Sequence, residues 1–92
     1  MKRQDRLWAL APGQSARVLG MSLQGAMRRR LRDMGIVEGG EIACLMRSPF
    51  GDPAAYRVCG AVIALRREDG EQVQIELEGG ERNGSEALRP GG

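Results

Sequence analysis

The side chains of this 92-residue chain that could do chemistry are two thiols and a few carboxylates, because the sequence contains no histidine. Without histidine, a nucleophilic serine or cysteine lacks the usual general base near neutral pH. Cys44 and Cys59 flank a predicted hairpin turn centred near Gly51, so we expect the two thiols to lie almost opposite each other. Two thiolates are too few for a closed tetrahedral zinc site. We interpret both as small buried hydrophobic residues, with a redox or metal-binding role as the alternative.

Three carboxylates, those of Glu68, Asp69 and Glu71, cluster within four residues and offer the oxygen ligands that hard divalent cations prefer. Their spacing matches no loop of defined ligand geometry, so we interpret them as a solvated acidic turn and assign no metal ligand. The glycines at positions 35, 39 and 40 are spaced like part of a phosphate-binding loop, but the Lys-Ser/Thr pair is absent and a helix precedes them. The sequence therefore predicts no cofactor and no enzymatic activity.

The sharpest functional signal is a basic helix that carries Arg28, Arg29 and Arg32. Residues 1–34 hold eight basic and two acidic groups (+6), residues 35–67 four and three (+1), and residues 68–92 two and seven (−5). Such a helix could bind an acidic protein surface, anionic lipid headgroups or nucleic-acid phosphates. A solvated face without a partner is the alternative. Only three aromatic residues are present and they are scattered, which disfavours nucleic acid because single strands stack on aromatic side chains.

A second candidate contact is the turn at residues 48–53, where Pro49 and Pro53 bracket Phe50 and Asp52. Prolines have a fixed φ and stiffen this turn at both ends. An exposed aromatic residue on a rigid turn is typical of interface hot spots, although Phe50 could instead fold over the end of a barrel. We predict that Pro49, Phe50 and Asp52 bind a partner together with the three arginines.

The elements that must position these side chains are five short strands and one helix. Strands are predicted at residues 15–21, 41–47, 54–59, 61–65 and 72–78, and the last alternates strictly between polar and apolar residues. In the second of them we expect one face to hold Ile42, Cys44 and Met46.

The helix is predicted to follow Ser22 as its N-cap and to end at Gly35 as its C-cap. Apolar residues recur at helical spacing and should form its buried face: Leu23, Met27, Leu31 and Met34.

This pattern predicts an all-β fold, a small, partly open SH3-like barrel of five strands with one short α-helix inserted after the first strand. We expect the domain to span residues 1–78 and the Gly/Glu-rich residues 79–92 to form a disordered tail. No apolar run approaches the roughly 20 residues of a membrane span, and residues 7–11 are too short for a signal-peptide core. We therefore expect a cytoplasmic protein with reduced thiols.

Four segments in this order, residues 12–18, 31–39, 49–53 and 65–69, resemble the ferrous iron transport protein A (FeoA) family over about residues 7–78. The resemblance implies an SH3-like barrel in a small cytosolic protein that assists the membrane ferrous iron permease FeoB, which carries a cytosolic G-protein domain. It thus implies a non-enzymatic adaptor in iron homeostasis that binds and regulates FeoB in Fe(II) uptake.

Two other functions stay open beside the adaptor. One is a nucleic-acid-binding SH3-like barrel, and the other is a metal-responsive regulatory domain like those of iron-dependent repressors. We expect FeoB as the partner, no nucleic acid, and a weak homo-oligomer as an option; direct binding of transition metal ions is left open.

Overall fold

The computed structural model describes residues 2–77, in which six antiparallel strands form one open sheet. The strands are β1 (Arg3–Arg6), β2 (Ser15–Met21), β3 (Glu41–Arg47), β4 (Ala54–Val58), β5 (Ala61–Leu65) and β6 (Val73–Leu77). Their order across the sheet is β1-β6-β2-β3-β4-β5. Two helices, α1 (Gly25–Asp33) and α2 (Arg67–Gly70), and a 3₁₀ turn (Leu7–Ala9) connect them. The mostly β fold with a helix inserted ahead of β3 confirms the predicted class, and the predicted tail at 79–92 lies outside the described residues.

Strand β1 is the one strand that the sequence did not predict. Arg3 pairs with Leu77 and Arg6 with Gln74, so β1 adds to the free side of β6. Its residues are polar and three of the four are exposed, which leaves no apolar alternation to identify it. The pairing is supplied by a neighbouring strand 70 residues away in sequence, and local propensity does not report such a partner.

The core lies on the inner side of the curved sheet. Alternate residues of β6 are buried, as the strict alternation predicted. In β3, Ile42 and Cys44 are also buried, as predicted. Leu7, in the 3₁₀ turn, and Leu10, just after it, are also fully buried. No charged side chain is fully buried among residues 2–77, so the interior of this part of the chain is uncharged.

Helix α1 begins later than predicted. Ser22 is not its N-cap, because its backbone N–H still pairs with Gln72 and its Oγ accepts a bond from Gln74 Nε2 at 2.9 Å. The chain leaves β2 only after Ser22, and Gln24 is the residue that precedes the first helical turn. Of the predicted apolar face, Leu31 is buried, and three residues are half-buried: Leu23, Met27 and Met34.

The C-terminal end of α1 is the predicted glycine stop. Gly35 has a φ of +108°, its N–H bonds to Arg32 O at 3.0 Å, and the Ile36 N–H bonds to Leu31 O at 3.0 Å. This bond pattern is the Schellman motif, which requires a residue in the left-handed region and commonly brings an apolar residue inward just after it. Ile36 is fully buried, so the stop also fixes how the chain returns to the core.

A bulge in β3 corrects the predicted position of Met46. Cys44 pairs with Tyr56 but Met46 pairs with Ala55, so Leu45 is an extra residue in the ladder. The alternation therefore shifts by one, and Met46 is 59% exposed instead of sharing the inner face of Cys44. Arg47 takes the half-buried position instead.

The half-buried Arg47 holds the N-terminal 3₁₀ turn against the sheet. Its Nη2 donates to the carbonyl oxygen of Trp8 and, at 3.2 Å, to that of Leu10, and its guanidinium carbon lies 4.6 Å from the centre of the Trp8 ring. Trp8 in turn packs against Gly70 of α2, where an added Cβ would come within 2.8 Å of the indole. The acidic segment predicted as a turn is therefore a short helix docked on this tryptophan.

We predict that Arg47→Ala lowers the free energy of unfolding by about 2–3 kcal/mol, because two backbone carbonyls lose charged donors. Arg47→Lys keeps the charge but lacks the planar fork, so its loss should be intermediate. Urea denaturation followed by tryptophan fluorescence would measure both. Equal stability of the alanine variant and the parent chain would contradict this assignment.

Candidate partner-binding surfaces

The predicted basic helix forms one wall of an open cleft of about 560 Å³, which we call the α1 groove. Arg28 and Arg32 are one helical turn apart, so both side chains reach the groove. Arg28 Nη1 donates to Met21 O at 3.1 Å, which ties it to the end of β2. The remaining lining residues come from β2, from the chain after α1 and from β6: Val18, Gly20, Met21, Val37, Glu38 and Gln74.

The arginines of α1 are not neutralised by the part of the chain that the structure describes. The ion pair found there joins Arg67 Nε to Glu71 Oε2 at 2.9 Å, on α2. Arg28, Arg29 and Arg32 are exposed. Arg29 lies about 100° around the helix from Arg28 and does not line the groove. Among the described residues that line the groove, Glu38 is the one carboxylate, so this surface has an excess of positive charge suited to an acidic partner.

The turn at residues 48–53 is built as the sequence predicted, with Phe50 at its exposed tip. Gly51 N–H bonds to Ser48 O at 2.8 Å, Ser48 N–H bonds to Pro53 O at 3.0 Å, and the Asp52–Pro53 peptide bond is cis. Phe50 is 96% exposed and does not fold over the barrel. Asp52 Oδ1 accepts the N–H of Arg67 at 3.1 Å, so this carboxylate anchors the turn to α2. Phe50 is thus the side chain of the turn most available to a partner.

The two predicted contact regions lie beyond opposite ends of β3. Val37 and Glu38 of the α1 groove come just before this strand, and Pro49 comes just after it. Seven extended residues span about 20 Å. The structure therefore brings Arg28 and Arg32 together and places Phe50 elsewhere, so the six predicted residues form two surfaces rather than one.

The two cysteines are not neighbours, contrary to the expectation from the hairpin. Tyr56 is the residue opposite Cys44, and Cys59 lies beyond the end of β4 with a φ of +52°. Cys44 is buried and Cys59 is exposed, so the interpretation as a buried hydrophobic residue holds for Cys44 alone. Burial raises the pKa of the Cys44 thiol. Among residues 2–77 no three His, Cys, Asp or Glu side chains come together as a metal site would require.

Tyr56 is a polar group at the centre of the core that sequence reasoning missed. Its side chain is fully buried and its hydroxyl has no hydrogen-bond partner within residues 2–77. Burial, with a smaller contribution from Cys44, raises the pKa of Tyr56 to about 12, and the positive charge of Arg47 partly offsets this increase. An unpaired hydroxyl in an apolar core costs free energy, whereas the ring contributes packing.

We predict that Tyr56→Phe leaves the free energy of unfolding unchanged or raises it by up to about 1 kcal/mol at pH 7. The raised pKa means that the folded state holds the phenolic proton more tightly than the unfolded state. The parent chain should therefore lose stability as pH rises from about 10 to 12, by up to about 3 kcal/mol. The phenylalanine variant should lack this loss and keep only the decline from Cys44 above about pH 9. Denaturation curves between pH 7 and 12 would test both statements.

The sequence profile of the FeoA domain matches residues 6–77, which is nearly all of the described structure. A curated relative from Porphyromonas gingivalis, a fusion protein of Fe(2+) transport protein A and the Fe(2+) transporter FeoB, is 35% identical over 72 residues. The match covers 78% of this chain and 8% of that relative, so this chain spans a small part of the fusion protein's length.

Solved structures agree in fold. Iron(II) transport protein A from Clostridium thermocellum superposes with a TM-score of 0.78 at 32% identity, over 82% of this chain and 46% of that one. The FeoA of Stenotrophomonas maltophilia, solved with zinc and described as a prokaryotic SH3 domain protein, gives a TM-score of 0.66 at 30% identity, covering 76% of this chain and 87% of that one. The SH3-like class predicted from the sequence is thereby confirmed. No helix within residues 2–77 is long and apolar enough to cross a membrane.

Proposed function

This chain belongs to the FeoA family, and from that premise we propose that it is a non-enzymatic cytoplasmic adaptor that binds a FeoB-type ferrous iron permease and regulates Fe(II) uptake. The observation that carries the proposal is the Porphyromonas gingivalis relative, in which a homologous domain shares one chain with the transporter FeoB. Fusion places the two modules at high effective concentration, so that even a weak contact between them would form within the chain.

The α1 groove is our proposed primary contact with the permease, through Arg28 and Arg32, with Arg29 beside it on the helix. Their charge, which no ion pair within residues 2–77 compensates, would select an acidic surface on the cytosolic part of the permease and speed encounter with it. The second contact would be the turn with Pro49 and Phe50, held in place by Asp52. Because the two surfaces are about 20 Å apart, a partner that touched both would lie along β3.

Regulation would follow if the adaptor bound one state of the permease more tightly than another. A binding protein shifts such an equilibrium only by its differential affinity for the two states. The proposal assigns the adaptor no catalytic group: Cys44 is buried, and the exposed Cys59 has no histidine in the chain to serve as its general base. Any nucleotide hydrolysis would belong to the G-protein domain of the permease.

The experiment is capture of the permease from detergent-solubilised membranes of the source organism by the tagged chain, at about physiological salt, with and without nuclease. We expect recovery of the permease in both cases, and weaker recovery at high salt because exposed charge pairs are screened. Recovery of nucleic acid alone would favour the nucleic-acid-binding barrel. Recovery of neither, from protein shown to be folded, would overturn the adaptor.

A further inference from the structure

Strand β5 presents an open and uncharged edge. It ends the sheet, pairs with β4 on one side, and has no strand on its other side within residues 2–77. All five of its residues are apolar, and Val62 is 64% exposed. Unpaired backbone donors and acceptors along an apolar edge form a template for pairing with another strand.

The opposite edge of the same sheet shows what protection looks like in this protein. Strand β1 carries charge at three of its four positions: Arg3, Asp5 and Arg6. Natural proteins block edge pairing with charged residues, prolines or bulges. Strand β5 contains no charged residue and no proline, and its register with β4 is regular. Within residues 2–77 the sheet therefore has one protected edge, β1, and one unprotected edge, β5.

We propose that β5 pairs antiparallel with β5 of a second copy of this chain, around a two-fold axis at Ile63. In an antiparallel pair, two directly opposed residues either both point their N–H and C=O groups at each other or both point them away. A symmetric pair must therefore place one residue directly opposite its own copy. Centring on Ile63 engages the whole strand, with Ala61 opposite Leu65 and Val62 opposite Ala64 of the second copy. Centring one residue to either side would leave one end of β5 unpaired.

A second copy of the chain fits this edge better than residues 78–92 of the same chain do. The register places Arg66 opposite Gly60 of the second copy, so no like charges oppose each other. It also places Val62 opposite Ala64 of the second copy, which extends the apolar cross-strand row of Ala64, Ala55 and Met46, while Val62 lies opposite Arg57 in its own chain. Residues 78–92 of the chain itself include five glycines and a proline, which are poor strand formers. A two-fold pairing thus extends an existing apolar row without a charge conflict.

The small number of residues in the β5–β5 contact sets the expected affinity of the dimer. Five residues from each copy are far fewer than the roughly 20–30 on each side of a standard stable interface. We therefore expect a weak dimer with a dissociation constant between about 1 µM and 1 mM. Such a dimer would form where local concentration is high and would leave the α1 groove free, because the groove lies at β2 and β6.

Sedimentation equilibrium between about 10 µM and 1 mM protein tests the proposal with two matched double variants. Val62→Lys with Ala64→Lys places lysine opposite lysine twice in the proposed register, and we expect monomer throughout. Val62→Glu with Ala64→Lys places glutamate opposite lysine twice, and we expect the dimer to return with an affinity at least equal to that of the parent chain. Both sites are exposed, so both variants should fold, and circular dichroism would check this.

Each outcome decides the matter. A parent chain that stays monomeric at the highest concentration, or a dimer that survives in the double-lysine variant, would overturn the proposal. A dimer lost in both variants would overturn the Ile63-centred register. If the double-lysine variant failed to capture the permease while the parent chain was monomeric, the edge would belong to a strand of that partner, and the second copy would be excluded.

Discussion

Reversing both charges of the α1 groove, by Arg28→Glu with Arg32→Glu, is expected to weaken binding to the permease at least about 100-fold. Two attractions with an acidic surface would become two repulsions, and a factor of 100 corresponds to about 3 kcal/mol. Stability should change little, because both side chains are exposed and Arg28 makes one described hydrogen bond, to Met21 O. Titration of the tagged chain against purified permease in detergent would measure the affinity.

The matched control is Arg57→Glu with Arg66→Glu, which makes the same change in net charge at exposed sites away from the groove. We expect a loss of less than about 10-fold there, since only long-range attraction is reduced. Arg29→Glu alone should fall between the two because Arg29 lies beside the groove rather than in it. Equal losses in the two double variants would mean that the permease senses net charge, and the groove would not be the binding site.

Much of the fold follows from local patterns in the sequence. The strict alternation at Val73, Ile75 and Leu77 identified the strand that lies between β1 and β2, and the glycine at position 35 marked the end of α1. In both cases the physical cause is local: a period of two in burial, and a left-handed conformation that glycine adopts without steric cost. Such signals are readable because neither depends on a partner distant in the chain.

The errors arise where a partner elsewhere in the chain decides the local structure. Met46 continues the alternation of β3 in sequence, yet the bulge at Leu45 turns it outward and brings Arg47 toward Trp8. The bulge is a property of the pairing with β4, where six residues of β3 oppose five. The same pairing separates the cysteines, because Cys59 comes after the last paired residue of β4.

The sequence indicates the charge of the candidate site but not its shape. The run of arginines on α1 indicated a basic surface, whereas the groove also requires the end of β2 and the segment with Val37 and Glu38. The sequence predicts that the basic helix and the turn at residues 48–53 both contact a partner, but it does not indicate how far apart they lie. Strand β3 lies between the basic helix and the turn, so the two regions lie beyond opposite ends of this strand. Only the topology determines this separation.

The largest effect on stability is expected at Gly35, where an alanine would disturb both the backbone and the core. The φ of +108° is unfavourable for any residue with a Cβ, at about 1–2 kcal/mol. A Cβ there would also lie 3.0 Å from Val58 Cγ1 and 3.2 Å from Cys59 Sγ. Val58 is buried and cannot move aside freely, so overpacking adds about 1–3 kcal/mol. We predict that Gly35→Ala lowers the free energy of unfolding by about 2–5 kcal/mol.

Gly39→Ala separates these two causes. Gly39 also has a positive φ, +86°, but an added Cβ would meet no atom within 4 Å. Its loss should therefore be the backbone cost alone, about 1 kcal/mol. Urea denaturation of both variants measures the difference, which is the cost of forcing a Cβ at position 35 against Val58 and Cys59. If the two variants lost equal stability, the contact of Gly35 with Val58 would not constrain the helix, and the geometry of the α1 groove would have to be fixed elsewhere.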